Sequence, residues 1–141
     1  MNNTANHDQH TIDQRRAKHA LEQIEKIIDC NDGYYISYVS ALPATIVMNG
    51  LGQALLTLLA KAKGKPEDSH YLLYNHVASW LSKQIIELRS PSENDFTPVI
   101  TRMMDADQKT YLIAQAEAMA YLNWLKQFAR AYLKEKEGQS E

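Results

Sequence analysis

The stretch Ala41–Lys65, ALPATIVMNGLGQALLTLLAKAKGK, decides the fold, because its first twenty residues carry no charge. The uncharged zone begins earlier still, with no Asp, Glu, Lys or Arg from Gly33 to Ala60. A helix without a charged face is either embedded in lipid or buried on most sides. A membrane span needs about 20 largely apolar residues. Here Pro43 divides the zone, and Asn49, Gly50, Gly52, Gln53 and Thr57 interrupt the longer piece. The reading is a core helix, with no membrane involved.

Pro43 disfavours helical geometry in the residue before it, which predicts a short helix from Tyr34 to about Ala41 that stops near Leu42. Proline suits the first turn of a helix, so a second helix is expected to start there. On a wheel, Val47, Leu51, Ala54, Leu55, Leu58 and Ala62 form its apolar face, and Thr45, Asn49, Gly52, Leu56 and Ala60 the opposite one. Gly50 and Gly52 each cost about 1 kcal/mol against alanine inside a helix. Close approach of a neighbour or a break in the helix offsets that cost. An alternative is a smooth uncharged patch for a partner protein, which makes Asn49, Gly50 and Gly52 interface candidates.

Upstream, Thr11 and Gln14 have capping-box spacing. Ala17, Ala20, Leu21, Ile24 and Ile28 then repeat at three and four, predicting a helix to about Cys30. Downstream, Leu73, Val77, Trp80, Leu81 and Leu88 mark a helix from Glu67 to about Leu88, and RSPSEND breaks it. A short helix around Pro98–Met104 precedes Asp105, which with Gln108 has the spacing to cap a final helix to about Lys136. Its core stripe is Tyr111, Ala114, Ala118, Tyr121, Leu125, Phe128 and Tyr132. The expectation is an all-α class: one compact bundle of about five to six helices over residues 11–136, with tails at 1–10 and 137–141.

The 141-residue length suits one domain. The lone cysteine, Cys30, excludes an internal disulfide, and the polar N-terminal stretch has no signal-like apolar run, so a cytoplasmic protein is expected. A net charge of −2 argues against a strong nucleic-acid binder acting alone. The charge is unevenly spread, however: residues 31–66 hold three lysines and one acid, whereas 67–108 hold three bases and seven acids.

No catalytic motif emerges: there is no phosphate-cradling glycine loop, no nucleophile elbow and no metal-ligand spacing. His7 and His10 lie in the expected tail, while Glu67 and Asp68 complement a helix start. Neither enzyme activity nor a metal or other cofactor is expected. Glu117 is the exception to an apolar surrounding, near Tyr121, Trp124 and Phe128. A buried carboxylate needs a cationic partner, and Arg16 or Lys61 fits. Lys126, Arg130 and Lys134 recur at steps of four, forming a basic row able to track phosphates. Lys61, Lys63 and Lys65 form a second basic cluster.

Taken together, YYISYVSALPATIVMNGLGQALLTLLAKAKG and, far downstream, YLIAQAEAMAYLNWLKQFARA resemble the small-subunit family of type III-B CRISPR RNA-guided effectors, the Cmr complexes. The resemblance spans about Arg15 to Leu133. It is carried by Tyr34, Tyr38, Pro43, Asn49, Gly50, Leu51, Gly52 and Lys61, then Tyr111, Glu117, Trp124, Leu125, Lys126, Phe128 and Ala129. Gln127 stands where the family often has a second base. The resemblance implies a non-catalytic helical subunit for antiviral defence. It stacks in several copies beside the guide-bearing backbone, with other Cmr subunits, copies of itself, guide RNA and target RNA as partners. Candidate RNA contacts are Arg16, Lys61, Lys63, Lys65, Lys126, Arg130 and Lys134. Glu117 and Trp124 are assigned to the core or an interface. A generic helical adaptor without an RNA role is the alternative.

Overall fold

Six α-helices and one 3-10 turn build the protein in a computed structural model that describes residues 9–135. Residues 1–8, with His7, and 136–141, with the expected C-terminal tail, lie outside the described residues. The helices are α1 (Ile12–Ile27), α2 (Tyr35–Asn49), α3 (Leu51–Ala62), α4 (Ser69–Gln84), α5 (Pro98–Asp105) and α6 (Gln108–Tyr132). The 3-10 turn, Ile86–Leu88, follows α4, and no strand forms among the described residues beyond one isolated bridge between Ser92 and Asp95. The all-α bundle expected from the sequence is therefore present.

Caps account for several boundaries. Thr11 and Gln14 close the expected box: the Gln14 N–H donates to Thr11 Oγ1 at 3.0 Å, and the Thr11 N–H to Gln14 Oε1 at 2.8 Å. Asp68 accepts the His70 N–H at 2.7 Å to start α4. The start of α6 differs from expectation. Asp107, not Asp105, is its cap, accepting the Thr110 N–H at 2.8 Å.

The largest correction concerns Pro43, which does not divide the uncharged zone. α2 runs through it to Asn49. An interior proline removes a hydrogen bond and costs about 3 kcal/mol. Tyr35, Val39, Leu42 and Ile46 nevertheless form one buried stripe across it, at steps of four, three and four. Burying a large aliphatic side chain stabilises by about 1.5–3 kcal/mol, so Leu42 and Ile46 together outweigh the proline.

The division falls at Gly50, which has φ +87° and ψ 160°. This region is nearly closed to residues with a Cβ. Gly50 ends one helix and starts the next: its N–H donates to Ile46 O at 2.7 Å, and its carbonyl accepts from the Ala54 N–H at 3.1 Å. The first N–H groups of α3 have no partners within the helix, and α6 supplies them. Gln115 Oε1 accepts the Leu51 N–H at 2.9 Å, and the Tyr111 hydroxyl accepts the Gly52 N–H at 2.8 Å. A Cβ on Gly52 would stand 3.2 Å from that hydroxyl and 3.0 Å from Met104 Cε. Both glycines therefore have structural reasons, one a break and the other a close approach.

The elbow also shifts the helical phase, so the wheel drawn across it misplaced Val47, which is 72 % exposed. Ile28 and Tyr132, assigned to core stripes, are exposed too. The most enclosed helix is α4, where Leu73, Tyr74, Val77, Ala78, Trp80 and Leu81 are all buried. The uncharged α2–α3 pair packs on the core through one side only.

Gly50→Ala is expected to lower stability by about 1–3 kcal/mol through backbone strain alone. A urea midpoint unchanged from wild type would contradict the elbow assignment.

Candidate nucleic-acid interface and assembly surfaces

Residues expected to act at the surface divide into two groups. The first is inside. Arg16 and Glu117 form a two-pronged ion pair, with Nε to Oε2 at 2.6 Å and Nη2 to Oε1 at 2.9 Å. Their side chains are only 17 % and 14 % exposed. Trp80 of α4 donates its indole N–H to Glu117 Oε2 at 2.8 Å. Arg16 Nη1 donates to Asp13 Oδ1 at 3.1 Å, and the same oxygen accepts the Trp124 indole N–H at 2.9 Å. Asp13, Arg16, Glu117, Trp80 and Trp124 thus form one continuous network tying α1, α4 and α6.

Burial pushes the Glu117 carboxyl up, but the hydrogen bonds from Arg16 and Trp80 and the Arg16 charge outweigh it, so Glu117 lies below its ordinary value. The Trp124 and Arg16 hydrogen bonds lower Asp13 as well. The network includes the pairing expected for Glu117. It also commits the Arg16 guanidinium to two carboxylates, which takes it out of the set of free phosphate contacts. Lys61, the other partner considered for Glu117, sits exposed at the end of α3.

A second polar cluster lies beside the first. His19 Nδ1 pairs with the Tyr121 hydroxyl at 2.7 Å and Nε2 with Ser79 Oγ at 3.1 Å, while Trp80 stacks on Tyr121 at 5.5 Å. His76 Nδ1 pairs with the Tyr35 hydroxyl at 2.6 Å. Burial holds His19 down to about 4 and His76 to about 3, so both are neutral at pH 7. The sequence reading did not find these partners, or Trp80, because nothing in α4's pattern distinguishes a hydrogen-bonding Trp from a packing one.

The second group is outside. Lys61, Lys63 and Lys65 are exposed where α3 ends, with Lys63 in the left-handed conformation at φ 53°. Arg130 is exposed and borders a recess against Ile36, Ser37 and Ser40 of α2, and Lys126 is partly exposed. None of these bases forms an ion pair among the described residues. Because α6 ends at Tyr132, Lys134 lies outside the helix and leaves the straight row. It lines a recess beside Asp29, Asp32 and Glu135, whose negative charges offset it. Asn49 is exposed at the end of α2.

Around the elbow the surface is apolar. Val47 and Met48 end α2 at 72 % and 80 % exposure, Met104 ends α5, Leu56 lies on α3, and Leu112 and Ile113 sit at the start of α6, all exposed. Large apolar side chains gathered at one corner are the mark of a protein-binding surface.

Groups assembled for chemistry are missing from the described residues. No three His, Cys, Asp or Glu side chains converge there in metal-binding geometry. Glu117 faces Arg16 and Trp80, while His70 pairs with Asp68 at 2.8 Å and stacks on Tyr38. Among the described residues no helix is long and apolar enough to cross a membrane.

A six-helix bundle with a closed internal ion network, free surface bases and an apolar corner defines a binding and assembly class of protein. Residues 12–132 match the family described as CRISPR-associated protein (Cas_Cmr5), and the chain belongs to that family. It is 30 % identical over 123 residues to the CRISPR system Cmr subunit Cmr5 of Thermotoga maritima, covering 87 % of this chain and 85 % of that one. The fold is similar to the crystal structure of a CRISPR-associated Cmr5 family protein from Thermus thermophilus. That likeness has a TM-score of 0.67 at 25 % identity, covering 89 % of this chain and all of the other. The chain is thus a small subunit of the type III-B Cmr class.

Unfolding frees both buried histidines to bind protons at their ordinary value near 6.5. Below that pH the unfolded state holds more protons, so stability falls as pH drops, by up to about 1.4 kcal/mol per pH unit for each histidine. The His19 contribution levels off near pH 4, where the folded protein also protonates. Urea midpoints from pH 7 to pH 4 are expected to decline, and His19→Gln to flatten the decline. An identical slope in the variant would contradict a neutral, buried His19.

Proposed function

We propose that this chain is a non-catalytic small subunit that stacks in several copies along the guide-bearing backbone of a Cmr complex. In that position it helps hold target RNA without reading its sequence. The observation that carries the reading is the separation of charges. The one arginine needed internally is neutralised inside, whereas Lys61, Lys63, Lys65, Lys126 and Arg130 stay unpaired at the surface among the described residues.

The bases supply sequence-independent phosphate contacts of modest strength. A chain with net charge −2 has little long-range pull on RNA by itself. Repetition along a stack would supply it, because several copies share one strand and a weak contact becomes effectively intramolecular. The apolar corner of Val47, Met48, Met104 and Leu112 suits the subunit contacts, and exposed rather than buried Val47 and Met48 support that role.

In a reconstituted guide-bearing complex, Lys126→Ala with Arg130→Ala is expected to weaken target RNA binding while leaving the fold intact. Losing two phosphate contacts should reduce the slope of log affinity against log salt by about 1.5. Unchanged affinity and slope, with normal subunit uptake, would overturn the RNA assignment and favour an adaptor that docks through the apolar corner.

A further inference from the structure

A second basic surface lies apart from the α6 row. A groove of about 680 Å³ runs between α1, α4 and the segment after the 3-10 turn. Lys26 reaches it from the last turn of α1, Lys83 from the last turn of α4, and Arg89 from just beyond the 3-10 turn. All three are exposed, and none has a carboxylate partner among the described residues. Against them stands one acid in the lining, Glu93. The groove is therefore locally cationic in a chain whose net charge is −2.

Two features of its wall go beyond an anion site. Asn75 lines the groove, and its Oδ1 is buried without a hydrogen-bond partner among the described residues. Buried acceptors are almost always satisfied, so such an oxygen calls for an N–H or O–H donor. Phosphate at neutral pH offers few donors, whereas the amino edge of a nucleobase offers them. Phe96, half-buried, provides a ring face in the same lining, and bases stack on such faces.

We propose that this groove binds one nucleotide unit, with Lys26, Lys83 and Arg89 on the phosphate, Asn75 Oδ1 on the base amino group and Phe96 against the ring. Arginine and lysine are the usual phosphate partners, arginine through its planar fork. Glu93 weakens the field at one edge and offers an acceptor to a ribose hydroxyl. The nucleotide can come from two sources, a free mononucleotide or one residue of an RNA strand. The site uses none of the bases on the α6 row and none at the α3 end.

The test is an NMR titration of the full chain with AMP, adenosine and inorganic phosphate, following the Asn75 side-chain amide and the Phe96 backbone amide. AMP is expected to shift both signals, with adenosine and phosphate each binding about tenfold more weakly or worse. Lys83→Ala with Arg89→Ala, both exposed in the wild type, is expected to weaken AMP about tenfold. Lys18→Ala, an exposed base outside the groove, should leave AMP affinity unchanged. Penta-adenylate binding tenfold tighter than AMP at equal salt would assign the site to a strand, and equal affinities to a free nucleotide. Phosphate binding as tightly as AMP, or millimolar AMP leaving Asn75 and Phe96 unmoved, would overturn the proposal.

Discussion

The two-pronged bond between Arg16 and Glu117 is the interaction on which the arrangement of the bundle depends. Glu117 lies on the inward side of the longest helix, and Arg16 on a helix remote in sequence. Either charge left alone there would be costly, since removing one partner of a buried pair strands the other at a cost of several kcal/mol. Trp80 and Asp13 take up remaining valences, so the pair fixes α1 and α6 in register and anchors α4 between them. Aliphatic packing tolerates slippage in a way that a planar guanidinium facing a carboxylate does not. The neighbouring His19–Tyr121–Ser79 cluster extends the same constraint with neutral groups.

Much of this was legible in the chain, and the exceptions have physical causes. A carboxylate on an apolar face demands a base, and Arg16 is correctly among the two predicted. Helices show their period, and Thr11 with Gln14 shows its box. The elbow was misplaced because the local preference of the residue before Pro43 loses to a buried stripe that continues past it. That competition is decided by tertiary contacts. Once the break moves to Gly50, a wheel spanning residues 43–62 mixes two helices, and Val47 falls on the wrong side. The uncharged stretch was read as the central helix, yet α4 holds that place with His76, Ser79 and Ser82 inside it. Polar residues are buried there because Tyr35, His19 and Ser90 satisfy them, and such partners are distant in sequence.

The same facts organise the surface. Committing Arg16 inward leaves the outward bases on helix ends and on one face of α6, where water and ligands reach them. The lack of charge from Gly33 to Ala60, which raised the question of a membrane, serves another end. One side of α2 and α3 packs on the core, and the other presents Val47, Met48 and Leu56 at an elbow that Tyr111 and Gln115 hold in place. A patch of that kind is costly for an isolated chain and useful when a neighbour covers it. It is consistent with family membership, and it gives the small net charge a role, because closely stacked copies repel one another little.

The most direct measurement mixes the purified chain with a guide-bearing Cmr complex that lacks its small subunit and weighs the product by native mass spectrometry. The account predicts a mass increase of two or more copies, and Met48→Asp, an exposed change, should lower that number. Uptake of one copy, or none from a chain shown to be folded, would contradict the stacked-subunit reading.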